Sequence, residues 1–266
     1  MISRATSSFL FSLVLSTSIF AVPEIKDEKE SRHELHAKAL EGDLNAMYQL
    51  GTYYLLRRED DVSEKWFKKA ALAKHIPSLW KWVGQLKRQP IHKAENNLRV
   101  ALELLITLDE LKAQFELAEL YTNREAELFS LDIGKMYYEF SANAGEHESM
   151  LKLGHLFLGE NDHPQDFVQA FQWFEKAANL EVAEGNRFLG MCYRYGLGTK
   201  KDLDVAWKYY GLGAKQGDLE CAYTLAMALY KGEEVVQDKG LAKRYFEQAA
   251  KYGYRDSQLK LNNLIF

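Results

Sequence analysis

The chain has 266 residues, 47% of them hydrophobic and 27% charged, with a formal net charge of −4 and only four prolines. That composition suits a globular domain or an extended repeat array and excludes a disordered or collagen-like chain. The pI is near 6.0 and no basic stripe stands out, which argues against a nucleic-acid partner.

Residues 1–21 carry one basic residue, Arg4, and then an apolar run from Phe9 to Phe20. The pattern is that of a secretory signal peptide cleaved after Ala21, although Ile19 sits where a small residue is preferred. The run is too short and too serine-rich for a good membrane span. The expected product is periplasmic or secreted, starts at Val22, and has no stable membrane insertion after cleavage. Residues 22–42 form an N-terminal segment with a partial capping helix expected at 28–41.

From residue 43 onward the chain repeats itself, the signature of a stacked architecture. Ala142, Ala178, Ala214 and Ala250 lie 36 residues apart, as do Ala170, Ala206 and Ala242. Aromatic pairs keep the same step: Tyr137-Tyr138, Trp173-Phe174, Tyr209-Tyr210 and Tyr245-Phe246. Upstream the period loosens, with Gly51, Gly84 and Ala118 taking the Gly154 position and Trp66-Phe67 matching Trp173-Phe174. Apolar residues recur at helical spacing in two stretches of each unit. Gly145, Gly217 and Gly253 follow the second stretch as helix stops. Repeats are therefore expected at 43–77, 78–110, 111–146, 147–182, 183–218 and 219–254, with a last capping helix at 256–266 inside a C-terminal segment 255–266.

Residues 195–202 read YGLGTKKD, two glycines and two lysines ahead of a helix, the ingredients of a phosphate loop. The corresponding stretch 230–238, YKGEEVVQD, replaces the lysines by Glu233 and Glu234. What the copies share is a turn: Gly196 and Gly232 supply a left-handed residue, and Asp202 and Asp238 cap the next helix.

With FLGMCYRYGLGTKKDLDVAWKYYGLGAKQGD in view, the chain resembles the Sel-one-like repeat (SLR) family, relatives of the tetratricopeptide repeat. The likeness is close over 146–253, fair over 46–71 and poor between 76 and 131, where the Gly-x-Gly loop is missing. It implies an all-α fold: a right-handed α-solenoid of about six helix-turn-helix repeats with terminal capping helices. It further implies a non-enzymatic protein that binds a protein or peptide, needs no cofactor, and is in many bacterial members exported.

Three Ser-x-x-Lys motifs, Ser78/Lys81, Ser149/Lys152 and Ser257/Lys260, match the nucleophile box of β-lactamases and penicillin-binding proteins. All three stand at one phase of the repeat, where serine caps or opens a helix, and the partner motifs Ser-Asp-Asn and Lys-Thr-Gly are absent. The run HELH at 33–36 spaces its histidines by three where a zincin needs four, so both read as surface residues and no metal is expected. Trp66, Trp173 and Trp207 read as core; Trp80 and Trp82 read as core with one of them exposed.

Cys192 and Cys221 are the only cysteines. Seven residues of helix between their repeat positions, plus the spacing of neighbouring helices, put their Cα atoms about 13 Å apart. A disulfide needs less than about 7 Å, so both are expected as unpaired packing residues. In cysteine-rich relatives each repeat is bridged internally; here the resemblance puts Ala214 where a partner of Cys221 would stand.

In such solenoids the first helix of each repeat lines the concave face. The phase pointing away from the second helix gives Tyr48, Lys81, Arg88, Phe115, Leu151, His155, Arg187, Met191, Arg194, Tyr223, Met227 and Tyr230 as candidate partner-binding residues. The same residues could instead pack between neighbouring first helices. The functional expectation is a binding protein: an envelope scaffold, a secreted host-interaction factor, or an immunity protein that neutralises a secreted effector. An enzyme of the penicillin-binding or β-lactamase type is the alternative.

Overall fold

The computed structural model describes residues 28–160 and 163–263. The expected signal segment 1–21 and the last residues of the C-terminal cap lie outside them. Fourteen helices follow one another among the described residues, with no strand. An N-terminal cap α1 (Glu28–Leu40) precedes six pairs. The first helices of these pairs are α2 (Leu44–Leu56), α4 (Ile76–Leu86), α6 (Lys112–Thr122), α8 (His147–Phe157), α10 (Ala183–Tyr195) and α12 (Leu219–Lys231). Their partners are α3 (Asp60–Leu72), α5 (Ile91–Ile106), α7 (Leu131–Asn143), α9 (Phe167–Asn179), α11 (Leu203–Lys215) and α13 (Lys239–Lys251), and α14 (Arg255–Asn263) closes the array. The main helix–helix contacts join helices consecutive in the chain, as an α-solenoid requires.

The punctuation is set locally. Asp166, Asp202 and Asp238 cap α9, α11 and α13, each accepting from the backbone N–H three residues on. Gly196 and Gly232 end α10 and α12 at φ 73° and 71°. YGLGTKKD is therefore a helix stop followed by a helix cap. Its second glycine permits a close approach. A Cβ on Gly198 would lie 1.9 Å from the carbonyl oxygen of Phe167, so the loop rests directly on the start of α9.

Within a pair, glycine receives an aromatic ring. A Cβ on Gly51 would come within 2.6 Å of Phe67, and one on Gly154 within 2.3 Å of Phe174; Gly190 faces Tyr210 at 3.0 Å. The small residue thus accommodates the ring of its own pair, and the ring's far side meets the next pair: Phe174 stacks on Phe188 with centroids 4.6 Å apart. The second member of each aromatic pair is buried, Phe67, Tyr138, Phe174, Tyr210 and Phe246, and in the Trp173-Phe174 pair the first member is buried as well. Trp66, expected in the core, is only half-buried and leans on the N-terminal cap, while Trp173, Trp207 and Trp82 are buried.

The third residue of α4, α8, α10, α12 and α14 is small and buried: Ser78, Ser149, Gly185, Cys221 and Ser257. It meets the end of the preceding second helix, where a Cβ on Gly185 would sit 2.6 Å from the Ala178 nitrogen. Two expectations change here. The Ser-x-x-Lys serines open helices without capping them, because the caps are His75 and Glu146 for α4 and α8. Cys221 fits by a volume exchange with Gly213, whose added Cβ would lie 2.5 Å from its sulfur, so Gly213 and not Ala214 is the residue opposite. Both cysteines are buried and unpaired.

In the second unit the register differs from the expected one. Counted from Ser78, the slot held by Gly51, Gly154 and Gly190 falls on Val83, which is buried, whereas Gly84 is exposed with nothing near its would-be Cβ. This unit carries no glycine–aromatic pair, and its second helix α5 is 16 residues long where the other second helices have 13.

Candidate binding surface on the first helices

Several predicted surface residues pack within their unit or against the next one. Tyr48 is half-buried against Phe67 and His75, both at 5.8 Å between centroids. Phe115 lies on Tyr138 at 5.9 Å. The His155 ring meets the Phe188 ring at 4.4 Å, and its Nδ1 is 2.9 Å from Glu160. Tyr223 lies between Phe246 and Tyr254. Leu151 is only 8% exposed and belongs to the core, so it offers a partner almost no surface. Met191 is half-buried beside the same core.

Arg187 and Arg194 are held by the following unit. Arg187 reaches Glu184 at 2.8 Å and Glu220 at 2.5 Å; its Nε lies 3.2 Å from Asp218, an ion-pair distance without hydrogen-bond alignment. Arg194 donates through Nε to Glu234 at 2.7 Å and lies 5.1 Å over the Trp207 ring. A shallow recess of about 190 Å³ brings Arg194, Tyr223 and Met227 together with Thr224, Lys231 and Glu233. Tyr230 does not line it; Lys239 sits 5.2 Å over its ring.

Lys81 and Arg88 are exposed, but the register of α4 moves the intended phase to Trp80, Gly84 and Lys87. Trp80 is half-buried and donates to Glu110 at 3.1 Å. Lys87 reaches across to Glu116 on α6 at 2.6 Å.

That contact lies in a larger groove, of about 620 Å³, crossing α4, α6 and α8 near their C-terminal ends. Its apolar lining comes from Leu86, Ile91, Leu98, Leu120 and Leu156. Within it the Glu119 carboxylate accepts from the Tyr138 hydroxyl and forms an ion pair with Lys152 at 3.1 Å. Thr122 Oγ1 lies 3.2 Å from the same hydroxyl. Burial, and then the bond to Glu119, drives the Tyr138 phenol well above its ordinary range, so it stays a neutral donor. Glu116, Lys152 and Leu156 are absent from the predicted surface because they stand one position after the phase chosen for it. A signal for them was available, since opposite charges occupy this position 36 residues apart, at Glu116 and Lys152.

The other candidate chemistries do not gather. His36 is half-buried rather than a surface residue, within 3.1 Å of the Tyr54 hydroxyl and edge-on to Trp66. Ser78, Ser149 and Ser257 are fully buried and present no hydroxyl to a substrate; Ser78 meets His75 Nδ1 at 2.8 Å. Among the described residues no group of three or more His, Cys, Asp or Glu is placed to hold a metal ion.

The Sel1 repeat matches this chain at 44–75, 111–146, 147–182, 183–218 and 219–254, reaching into the region expected to be poor but skipping the unit of α4 and α5. The chitin synthase regulator SKT5 of Saccharomyces cerevisiae is 26% identical over 210 residues, covering 73% of this chain and 30% of the yeast protein. Human protein sel-1 homolog 2 is 29% identical over 112 residues, 42% of this chain and 16% of its own length. The chain thus spans under a third of the curated relatives it matches. A Sel1 repeat protein from Oxalobacter formigenes has the same fold, with a TM-score of 0.71 at 19% identity over 87% of this chain and 69% of that one. A protective antigen of uropathogenic Escherichia coli with an SLR fold aligns at a TM-score of 0.55 and 19% identity, over 86% and 58% of the two chains. Five matched repeats and the solenoid built from them place the chain in the Sel1 repeat family.

Proposed function

We propose that this Sel1 repeat protein is an exported, non-enzymatic binding protein that holds a segment of a partner protein against its first helices. The observation that carries the reading is the groove of about 620 Å³ across three consecutive units, lined by paired and unpaired charges with Pro90 and Ile91 as its accessible apolar part. The recess at Arg194, Tyr223 and Met227 continues the same face two units further on. Export is supported by the apolar run from Phe9 to Phe20 with its single basic residue. No helix among the described residues is long and apolar enough to cross a membrane. The partner is a secreted effector if the protein confers immunity, an envelope protein if it is a scaffold, and a host protein if it is a secreted factor.

Affinity capture with the tagged full chain from periplasm and culture medium tests the reading. A protein retained in stoichiometric amount supports it and identifies which of the three roles applies. Retention of nothing, with the chain folded, rejects it. N-terminal sequencing of the captured chain tests export separately: Val22 as first residue supports cleavage, and an intact Met1 rejects it.

A further inference from the structure

We infer that the groove across α4, α6 and α8 selects a basic segment, one that alternates lysine or arginine with an apolar side chain. The inference rests on the protein-binding reading and names the chemistry of its site. Four glutamates, Glu116, Glu119, Glu125 and Glu160, line the groove against two lysines, Lys87 and Lys152. Both lysines are already engaged, Lys87 by Glu116 at 2.6 Å and Lys152 by Glu119 at 3.1 Å. Those pairs join α4 to α6 and α6 to α8, so they hold the three helices in register and cancel their own charge.

What remains is negative. Among the described residues the Glu160 carboxylate pairs only with the His155 ring, at 2.9 Å. The Glu125 backbone N–H is turned onto Asn123, and the residue itself lines the groove. A concave surface with apolar walls concentrates such a field, because field lines crowd through the water-filled opening. The apolar floor sets the second requirement. Leu86, Leu98 and Leu156 are buried behind the lining, and the half-buried Ile91 and exposed Pro90 offer contact to an aliphatic side chain or to the methylene stem of a lysine, whose ammonium then reaches the rim. An acidic segment would meet uncompensated carboxylates, and a wholly apolar one would leave them without a counter-charge. The Tyr138 hydroxyl is committed to Glu119, which keeps that carboxylate fixed rather than free to swing away.

The test uses the full chain and a fluorescein-labelled octapeptide with two lysines flanking a leucine between glycine–serine ends. Two controls accompany it, one with glutamate for lysine and one with glycine for leucine. Fluorescence anisotropy at low and moderate salt reads the binding. The lysine–leucine peptide is expected to saturate, to weaken as salt rises, and to bind roughly tenfold more tightly than either control, a ratio corresponding to about 1.4 kcal/mol. Glu125→Gln with Glu160→Gln, two exposed positions, should lower its affinity by a similar factor, with circular dichroism as the check that the fold is unchanged. Glu233→Gln in the distant recess should leave it unchanged. Equal binding of the glutamate peptide, no binding of the lysine peptide, or full affinity in the double variant overturns the inference. A natural partner that is captured yet binds the double variant as tightly as wild type also overturns it, while leaving the protein-binding reading standing.

Discussion

Gly154 and Gly84 share one expected repeat position, and the structure predicts opposite consequences for replacing them by alanine. At Gly154 the new methyl would sit 2.3, 2.6 and 2.7 Å from three atoms of the Phe174 ring, where ordinary contact begins near 3.4 Å. The ring must retreat by about 1 Å, yet it is fully buried and stacked on Phe188 at 4.6 Å. Overfilling a packed core costs about 1–3 kcal/mol, and three atoms in simultaneous overlap put this case at the upper end. Alanine returns about 1 kcal/mol of helix propensity, so Gly154→Ala should destabilise by about 2 kcal/mol. At Gly84 nothing lies within 4 Å of the added Cβ and the residue is exposed in a helix interior. Only the propensity gain remains, and Gly84→Ala should stabilise by about 1 kcal/mol. Urea unfolding followed by circular dichroism measures both. A third variant isolates the cause: with Phe174→Leu in place, Gly154→Ala should lose at least about 1 kcal/mol of its penalty. A Gly154→Ala protein as stable as wild type, or a penalty unchanged by Phe174→Leu, would refute the ring-over-glycine account.

Further outcomes follow from other sites. Reductant should leave the melting temperature unchanged, because Cys192 and Cys221 are buried and unpaired; a drop of several degrees would contradict this. Burial pushes the Cys192 thiol from 9.0 up to about 12 and the Tyr210 phenol from 10.0 up to about 12. The unfolded chain ionises these groups first, so their contribution is whole below about pH 9 and is lost as pH climbs toward 12. Cys192→Ala should flatten that alkaline decline in a denaturation series. Arg187→Ala, removing contacts to Glu184, Asp218 and Glu220, should cost roughly 1 kcal/mol, less at high salt, as partly exposed pairs do. Glu181 holds φ 61° where Gly145, Gly217 and Gly253 stand in other units, so Glu181→Gly should stabilise by about 0.5–1 kcal/mol in thermal melts. Glu234→Gly, at φ 63°, should gain less because it gives up the bond from Arg194.

The repeat was legible because its constraints are local and recur at one spacing. A ring needs a small residue beneath it, a reversing loop needs a left-handed residue, and the next helix needs an acceptor for its first N–H groups. Gly154 with Phe174, and Gly196 with Asp202, state those needs in the residues themselves. The unit of α4 and α5 states none of them: Val83 fills the slot and no aromatic covers it, so spacing alone pointed to Gly84, one residue late. That slip carried Lys81 and Arg88 into the predicted surface and left Lys87 out. The groove was less legible for a different reason. Its charges are paired between units about 30 residues apart, Lys87 with Glu116 and Glu119 with Lys152, and no periodicity within one helix announces such a pair. His36 shows the same limit, since its burial depends on Tyr54 and Trp66.

The consecutive-neighbour packing of the helices has a mechanical consequence. The main backbone contacts are made with the helix just before or just after in the chain, side-chain pairs such as Lys87–Glu116 and Glu119–Lys152 reach only to the next first helix, and among the described residues no strand or disulfide clamps distant parts together. A force applied at the two ends would load the interfaces in series, each carrying the full tension. Extension would then proceed by detachment of one helix pair after another, and a ligand lying across α4, α6 and α8 would act as a splint on the interfaces it spans.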